Sequence, residues 1–143
     1  MDAEEIAKSA QLEHRHWWYA ARRALVRRTV RDWPAGRAID VGCGMGGNTA
    51  VLRELGWQAV GVEYTDTGSD IAAARGIPVL QGDGRHLPVA DASVDLVMST
   101  DAWEHIDDDA AVARETARVL RPGGDRKSTR LNSSHTDISR MPS

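Results

Sequence analysis

A chain of 143 residues with a formal net charge of −3 is long enough for one domain with a real core and too short for two. Its only cysteine, Cys43, permits neither an intramolecular disulfide framework nor a cysteine-rich metal site, which points to a reducing cytoplasm. The pI near 5.9 gives no pull toward nucleic acid or an anionic membrane, and neither a signal peptide nor a membrane span is legible, so neither partner is expected.

In chain order, residues 4–33 carry a helical pattern. Trp18, Ala21, Leu25 and Val26 recur at three- and four-residue spacing, Val30 and Trp33 continue the stripe, and Pro34 and Gly36 stop it. The arginines between them, Arg22, Arg23, Arg27, Arg28 and Arg31, read as a solvated face rather than a nucleic-acid stripe. His14 and His16 read as surface residues.

Short apolar runs then alternate with helical segments, the signature of βα units around a parallel sheet. "RAIDVG", "QAVGVE", "IPVLQGD" and "SVDLVMST" read as four strands. A helix over residues 48–55 stops at Gly56, suited to a left-handed cap. "TDTGSDIAAARG" offers Thr and Asp as caps and Gly76 as the stop, with Gly68 weakening its first turn. After the fourth strand, Asp107, Asp108 and Asp109 suit a helix N-terminus, and Val112, Thr116, Val119 and Leu120 form its buried stripe. Ligand chemistry belongs at the carboxyl ends of the strands, around a central first strand.

The strongest functional signal is "AIDVGCGMGGNTAVL". A strand ending in Gly42, Gly44, Gly46 and Gly47 and opening into a helix lets backbone approach a ligand and presents amides to an anionic group. Glu63, about 20 residues on at the end of the next strand, is placed to accept from ribose hydroxyls. Gly42, Gly44 and Gly47 also satisfy GxGxxG, which leaves an NAD(P)-dependent oxidoreductase open as a second reading. Asp40 favours a cationic ligand, because a carboxylate at the mouth of the loop repels a pyrophosphate and attracts an ammonium or sulfonium.

Taken in order, "DVGCGMGG", "VGVE" and "GDGRHLPVADASVDLVMSTDAWEHIDD" resemble the class I S-adenosylmethionine-dependent methyltransferases of the small-molecule, type 11-like group. The resemblance implies an α/β, Rossmann-like sheet and S-adenosyl-L-methionine as cofactor. It implies that Asp40, Gly42, Gly44 and Gly46 surround the methionine part, that Glu63 holds the ribose, and that Asp83 accepts from the adenine amino group with Gly84 beside it. Ser99 and Asp101 would lie under the sulfonium. Met45 stands where this family often has a small polar residue. Cys43, common in the family's loop, reads as packing or lining rather than a nucleophile. The N-terminal "HRHWWYAARRAL" resembles a helix that covers the cofactor or shapes the acceptor pocket, with simple packing as the alternative for Trp17, Trp18 and Tyr19.

Methyl transfer from a sulfonium is an in-line displacement driven mostly by proximity and preorganisation. His105 is the candidate base where the small-molecule acceptor needs one. Asp101, Glu104 and His105, spaced i, i+3 and i+4, form a weaker alternative as a divalent-metal site.

The composition changes at Gly124/Asp125. "DRKSTRLNSSH" and "ISRMPS" resemble the conceptual translation of a sequencing-library adapter rather than a protein family. Residues 1–36 therefore read as an N-terminal helical segment, 37–124 as the cofactor-binding half of a methyltransferase domain, and 125–143 as a non-native or disordered tail. On this reading the sheet is truncated after the fourth strand and its helix, the fourth strand has a bare edge and folding is marginal, and a third alternative takes this exact chain as an inactive fragment or an interaction module built on the tryptophan-bearing helix.

Overall fold

In a computed structural model, which describes residues 2–12, 17–100, 108–122 and 127–130, the alternating runs become a parallel sheet with helices between its strands. Two helices, α1 (Ala3–Leu12) and α2 (Trp17–Val30), precede β1 (Arg37–Val41), α3 (Gly47–Glu54), β2 (Gln58–Glu63), α4 (Asp66–Ala74) and β3 (Val79–Gln81). They are followed by β4 (Leu96–Ser99), α5 (Asp109–Val119) and β5 (Lys127–Arg130). The strand order is β3-β2-β1-β4-β5, and every pairing is parallel. Asp40 on the central β1 stands opposite Gly61 and Met98.

The helix boundaries follow the local chemistry. Gly56 (φ 92°) and Gly76 (φ 78°) take the left-handed conformation just beyond α3 and α4, where a side chain would be strained. Thr65 caps α4 by accepting from the Gly68 amide at 3.2 Å, and Asp108 caps α5 by accepting from Ala111 at 3.0 Å.

Alternate strand residues face opposite sides, so the sheet has a core on each face. Ala38, Ala59, Leu96 and Met98 pack with Val26 and Val30 of α2 and with Val51 and Leu52 of α3. Ile39, Val41, Val62 and Val97 pack with Leu87, Val94, Val119 and Leu120. Of the stripe predicted for this helix, Val112, Thr116, Val119 and Leu120 are all buried, and Val119 and Leu120 join the second core.

Two expectations are corrected. Within α2, Ala21 is exposed whereas Arg22 is 8% exposed, so the arginines do not form one solvated face; Arg27 additionally pairs with Glu54 of α3. Finally, the edge of β4 is not bare. Lys127 to Arg130 pair in register with Leu96 to Ser99. A ladder needs only backbone donors and acceptors, which polar residues carry as well as apolar ones, and an open edge is a template for any extended segment.

Candidate functional site

The site is built at the carboxyl ends of β1, β2 and β4. Beyond Val41 the backbone turns through Gly42 (φ 71°), Gly44 (φ 54°) and Gly46 (φ 86°), all in the left-handed region open to glycine. Gly47 is already the first residue of α3. The positive-φ glycines are therefore the 42-44-46 set, and the third glycine of GxGxxG is not among them.

The loop folds back onto β2. The Gly42 and Cys43 amides donate to the Val62 carbonyl at 2.7 and 3.2 Å, the Gly46 amide to Cys43 at 3.0 Å, and the Gly44 amide to Glu63 Oε1 at 3.0 Å. Four of the loop's amides are thus satisfied internally. The surface above Gly44 is nonetheless open, with no atom within 4 Å of where a Cβ would stand. A ligand can reach the backbone there.

Glu63 ends β2 and is 9% exposed, and its carboxylate is engaged from two directions. Oε1 accepts from Gly44, while Oε2 accepts from the Thr65 amide at 3.0 Å and the Thr65 hydroxyl at 2.6 Å. Gly68 makes this possible, because a Cβ on it would lie 2.8 Å from Thr65 Oγ1 and 3.1 Å from Glu63 Oε2. The glycine that weakens the helix in sequence thus opens the space in which the carboxylate sits.

Asp40 is 1% exposed, and its Oδ2 accepts from Thr49 Oγ1 at 2.8 Å. It lies beneath the loop, on the α3 side of the sheet, rather than at the mouth where the sequence pattern places it. Cys43 packs onto Gly61, whose absent side chain makes room: a Cβ there would lie 2.9 Å from Cys43 Cβ. Burial, reinforced by the Asp40 and Glu63 charges, pushes the thiol far above its ordinary range, so it is neither thiolate nor nucleophile at neutral pH.

Asp83 lies past β3 in an exposed turn with Arg85. Its oxygens accept from the Arg85 amide at 2.9 Å and from the guanidinium at 2.7 to 3.1 Å, which holds its carboxyl below the usual range. Gly84 beside it is buried. Sequence reading missed Arg85, although an arginine two residues from an acid in a turn is the signal. It also missed Tyr64, which is 71% exposed immediately after Glu63.

Ser99 ends β4 and is 3% exposed, with no hydrogen-bond partner for its hydroxyl among the described residues. A buried hydroxyl without a partner costs about 1–3 kcal/mol, so its place at a strand's carboxyl end is informative. Asn48 of α3 reaches the neighbouring Thr100 hydroxyl at 3.5 Å. Asp101, Glu104, His105, His14 and His16 lie outside the described residues, as do the side chains of Trp17 and Trp18. The described residues contain no metal-ligating cluster of three or more His, Cys, Asp or Glu side chains. No described helix is long and apolar enough to cross a membrane.

The comparisons with known proteins agree with this geometry. A probable S-adenosylmethionine-dependent methyltransferase of Mycobacterium tuberculosis is 30% identical over 115 residues, covering 79% of this chain and 42% of its own length. The chain thus spans less than half of that relative. A structure from Methanococcus maripaludis, assigned as an S-adenosyl-L-methionine-dependent methyltransferase, superposes with a TM-score of 0.80 over 90% of this chain and 63% of its own; at 20% identity it shows the fold alone. Phosphoethanolamine N-methyltransferase 2 of Haemonchus contortus, in complex with S-adenosyl-L-methionine, is 26% identical, with a TM-score of 0.66 over 75% of this chain and 26% of its own. The family model described as a methyltransferase domain matches residues 39–125. With glycines at 42, 44 and 46, a buried acid ending β2 and a Rossmann-like parallel sheet, the chain belongs to the methyltransferase domain family.

Proposed function

We propose that residues 37–124 bind S-adenosyl-L-methionine at the carboxyl ends of β1, β2 and β4, and that the protein transfers a methyl group to a small-molecule acceptor. The observation carrying this reading is the Glu63 carboxylate, held at the end of β2 against the Gly44 amide at 3.0 Å beneath an open surface. A carboxylate has roughly four acceptor sites, and the protein occupies three, leaving one on Oε1 for a ribose hydroxyl. Ser99, buried and without a hydrogen-bond partner among the described residues, supplies a hydroxyl at the end of β4.

When bound, the cofactor supplies a methyl on a sulfonium with a neutral thioether as leaving group. The chain's own residues bind and orient. Gly42, Gly44 and Gly46 let backbone come close to the methionine part, and Asp40 adds a buried negative charge beneath it. Asp83 and Gly84 receive the adenine edge. By the family resemblance, Asp101 is assigned with Ser99 to the sulfonium end of the cofactor. His105 takes a proton where the acceptor is a hydroxyl or an ammonium. The segment "HRHWWYAARRAL" covers the cofactor or shapes the acceptor pocket, with simple packing as its alternative, and residues 125–143 carry none of the function. In-line displacement then requires alignment rather than a nucleophilic residue.

Titration calorimetry of the 143-residue chain with S-adenosylhomocysteine and, separately, with NADH tests this. Binding of the former alone is expected. Binding of NADH alone would replace this reading with a nicotinamide enzyme.

A further inference from the structure

We infer that Thr65 is a positioning residue for the ribose-binding carboxylate, an inference that rests on the cofactor reading above. Thr65 applies both its donors to a single oxygen of Glu63, the amide at 3.0 Å and the hydroxyl at 2.6 Å. Its hydroxyl proton is committed to Oε2, because the hydroxyl oxygen simultaneously accepts from the Gly68 amide at 3.2 Å. The result is a directed chain: Gly68 N–H to Thr65 O–H to Glu63 Oε2.

Capping a helix needs only the acceptor side of that hydroxyl. The donor side has no part in the cap and acts on Glu63 alone. By filling Oε2, Thr65 fixes the rotation of the carboxylate and turns Oε1 toward Gly44 and the open surface above the loop. The lack of a side chain at Gly68 belongs to the same arrangement, since a Cβ there would also meet Glu63 Cγ at 3.0 Å. Glu63, Thr65 and Gly68 therefore form one unit in which the N-terminus of α4 holds the ligand-binding acid in place.

The test compares affinities for S-adenosylhomocysteine and for its 2′,3′-dideoxy analogue in the 143-residue chain. Thr65→Val removes the hydroxyl and is expected to weaken S-adenosylhomocysteine binding roughly 10-fold, the scale of one hydrogen bond to a charged group. Affinity for the dideoxy analogue stays unchanged, so the ratio between the ligands falls. Thr65→Ser keeps both functions of the hydroxyl and preserves the ratio. Thr65→Gly is a tolerated cap for α4 that has no hydroxyl to donate, and lowers the ratio as Val does, which separates positioning from folding if Thr65→Val is poorly stable. Equal weakening of both ligands, or none of either, would leave Thr65 a cap only and overturn the inference. Failure of the unaltered chain to bind S-adenosylhomocysteine would instead overturn the cofactor reading, and this inference with it.

Discussion

Gly68→Ala is a substitution for which helix propensity and site geometry predict opposite signs. In an exposed helix, replacing glycine by alanine stabilises by about 1 kcal/mol. At Gly68 the new Cβ would stand 2.8 Å from Thr65 Oγ1, 3.0 Å from Glu63 Cγ and 3.1 Å from Glu63 Oε2. Neither neighbour can yield freely, because the Thr65 hydroxyl is held between Glu63 at 2.6 Å and the Gly68 amide at 3.2 Å. Displacing it breaks a hydrogen bond to a carboxylate, worth about 1.5–3 kcal/mol. The difference is a net loss of roughly 0.5–2 kcal/mol, equivalent to a melting temperature lower by roughly 2–8 °C for a chain of this size. Thermal unfolding followed by circular dichroism reads the stability, and calorimetry with S-adenosylhomocysteine reads the site, where affinity is expected to fall. A variant that melts higher than the unaltered chain and binds the ligand equally well would refute the claim that Gly68 is kept small for the carboxylate.

Other outcomes follow from the same contacts. Gly61→Ala places a Cβ onto the sulfur of Cys43 and is expected to destabilise by about 1–3 kcal/mol, with Cys43→Ala recovering part of the loss; additive effects in urea denaturation would contradict that contact. Because the folded-state pKa of Cys43 is raised above its ordinary value of 9.0, its contribution is fully present below pH 9 and is lost as pH rises beyond it, by about 1.4 kcal/mol per pH unit. Comparing alkaline unfolding with that of Cys43→Ala isolates this slope, and identical slopes would show the thiol to be accessible. The Asp83 carboxyl is held below its ordinary value of 3.8 by Arg85, so this pair's contribution is present above that pH and lost on acidification through the folded value. Since the pair is largely exposed, Arg85→Gln should produce only a small loss that salt suppresses and low pH removes; a large, salt-insensitive loss would show the turn to be buried.

Much of the fold is legible because its determinants are local. The strands carry continuous apolar runs, Thr65 and Asp108 cap their helices, and Gly56 and Gly76 take the left-handed turns the pattern requires. The loop glycines and Glu63 are legible for the same reason: a positive φ or a strand-ending acid declares itself in the sequence. What sequence reading missed depends on partners distant in sequence or on contacts that no pattern encodes. Arg22 looks like its neighbouring arginines but is buried. Asp40 looks like a residue at the loop's mouth but lies below it, held by Thr49 nine positions away. Gly68 reads as a weak point in a helix until the carboxylate beside it is seen. Lys127 to Arg130 have no apolar pattern, yet they pair with β4 through backbone groups that every non-proline residue carries.

The central claim is that the ribose meets the carboxylate that now holds the Gly44 amide. Amide chemical shifts measured during titration with S-adenosylhomocysteine test it most directly. The account predicts that the Gly44 and Thr65 resonances move together and saturably, that NADH leaves them in place, and that Glu63→Ala abolishes the effect. Saturable binding that leaves both resonances unmoved would contradict it.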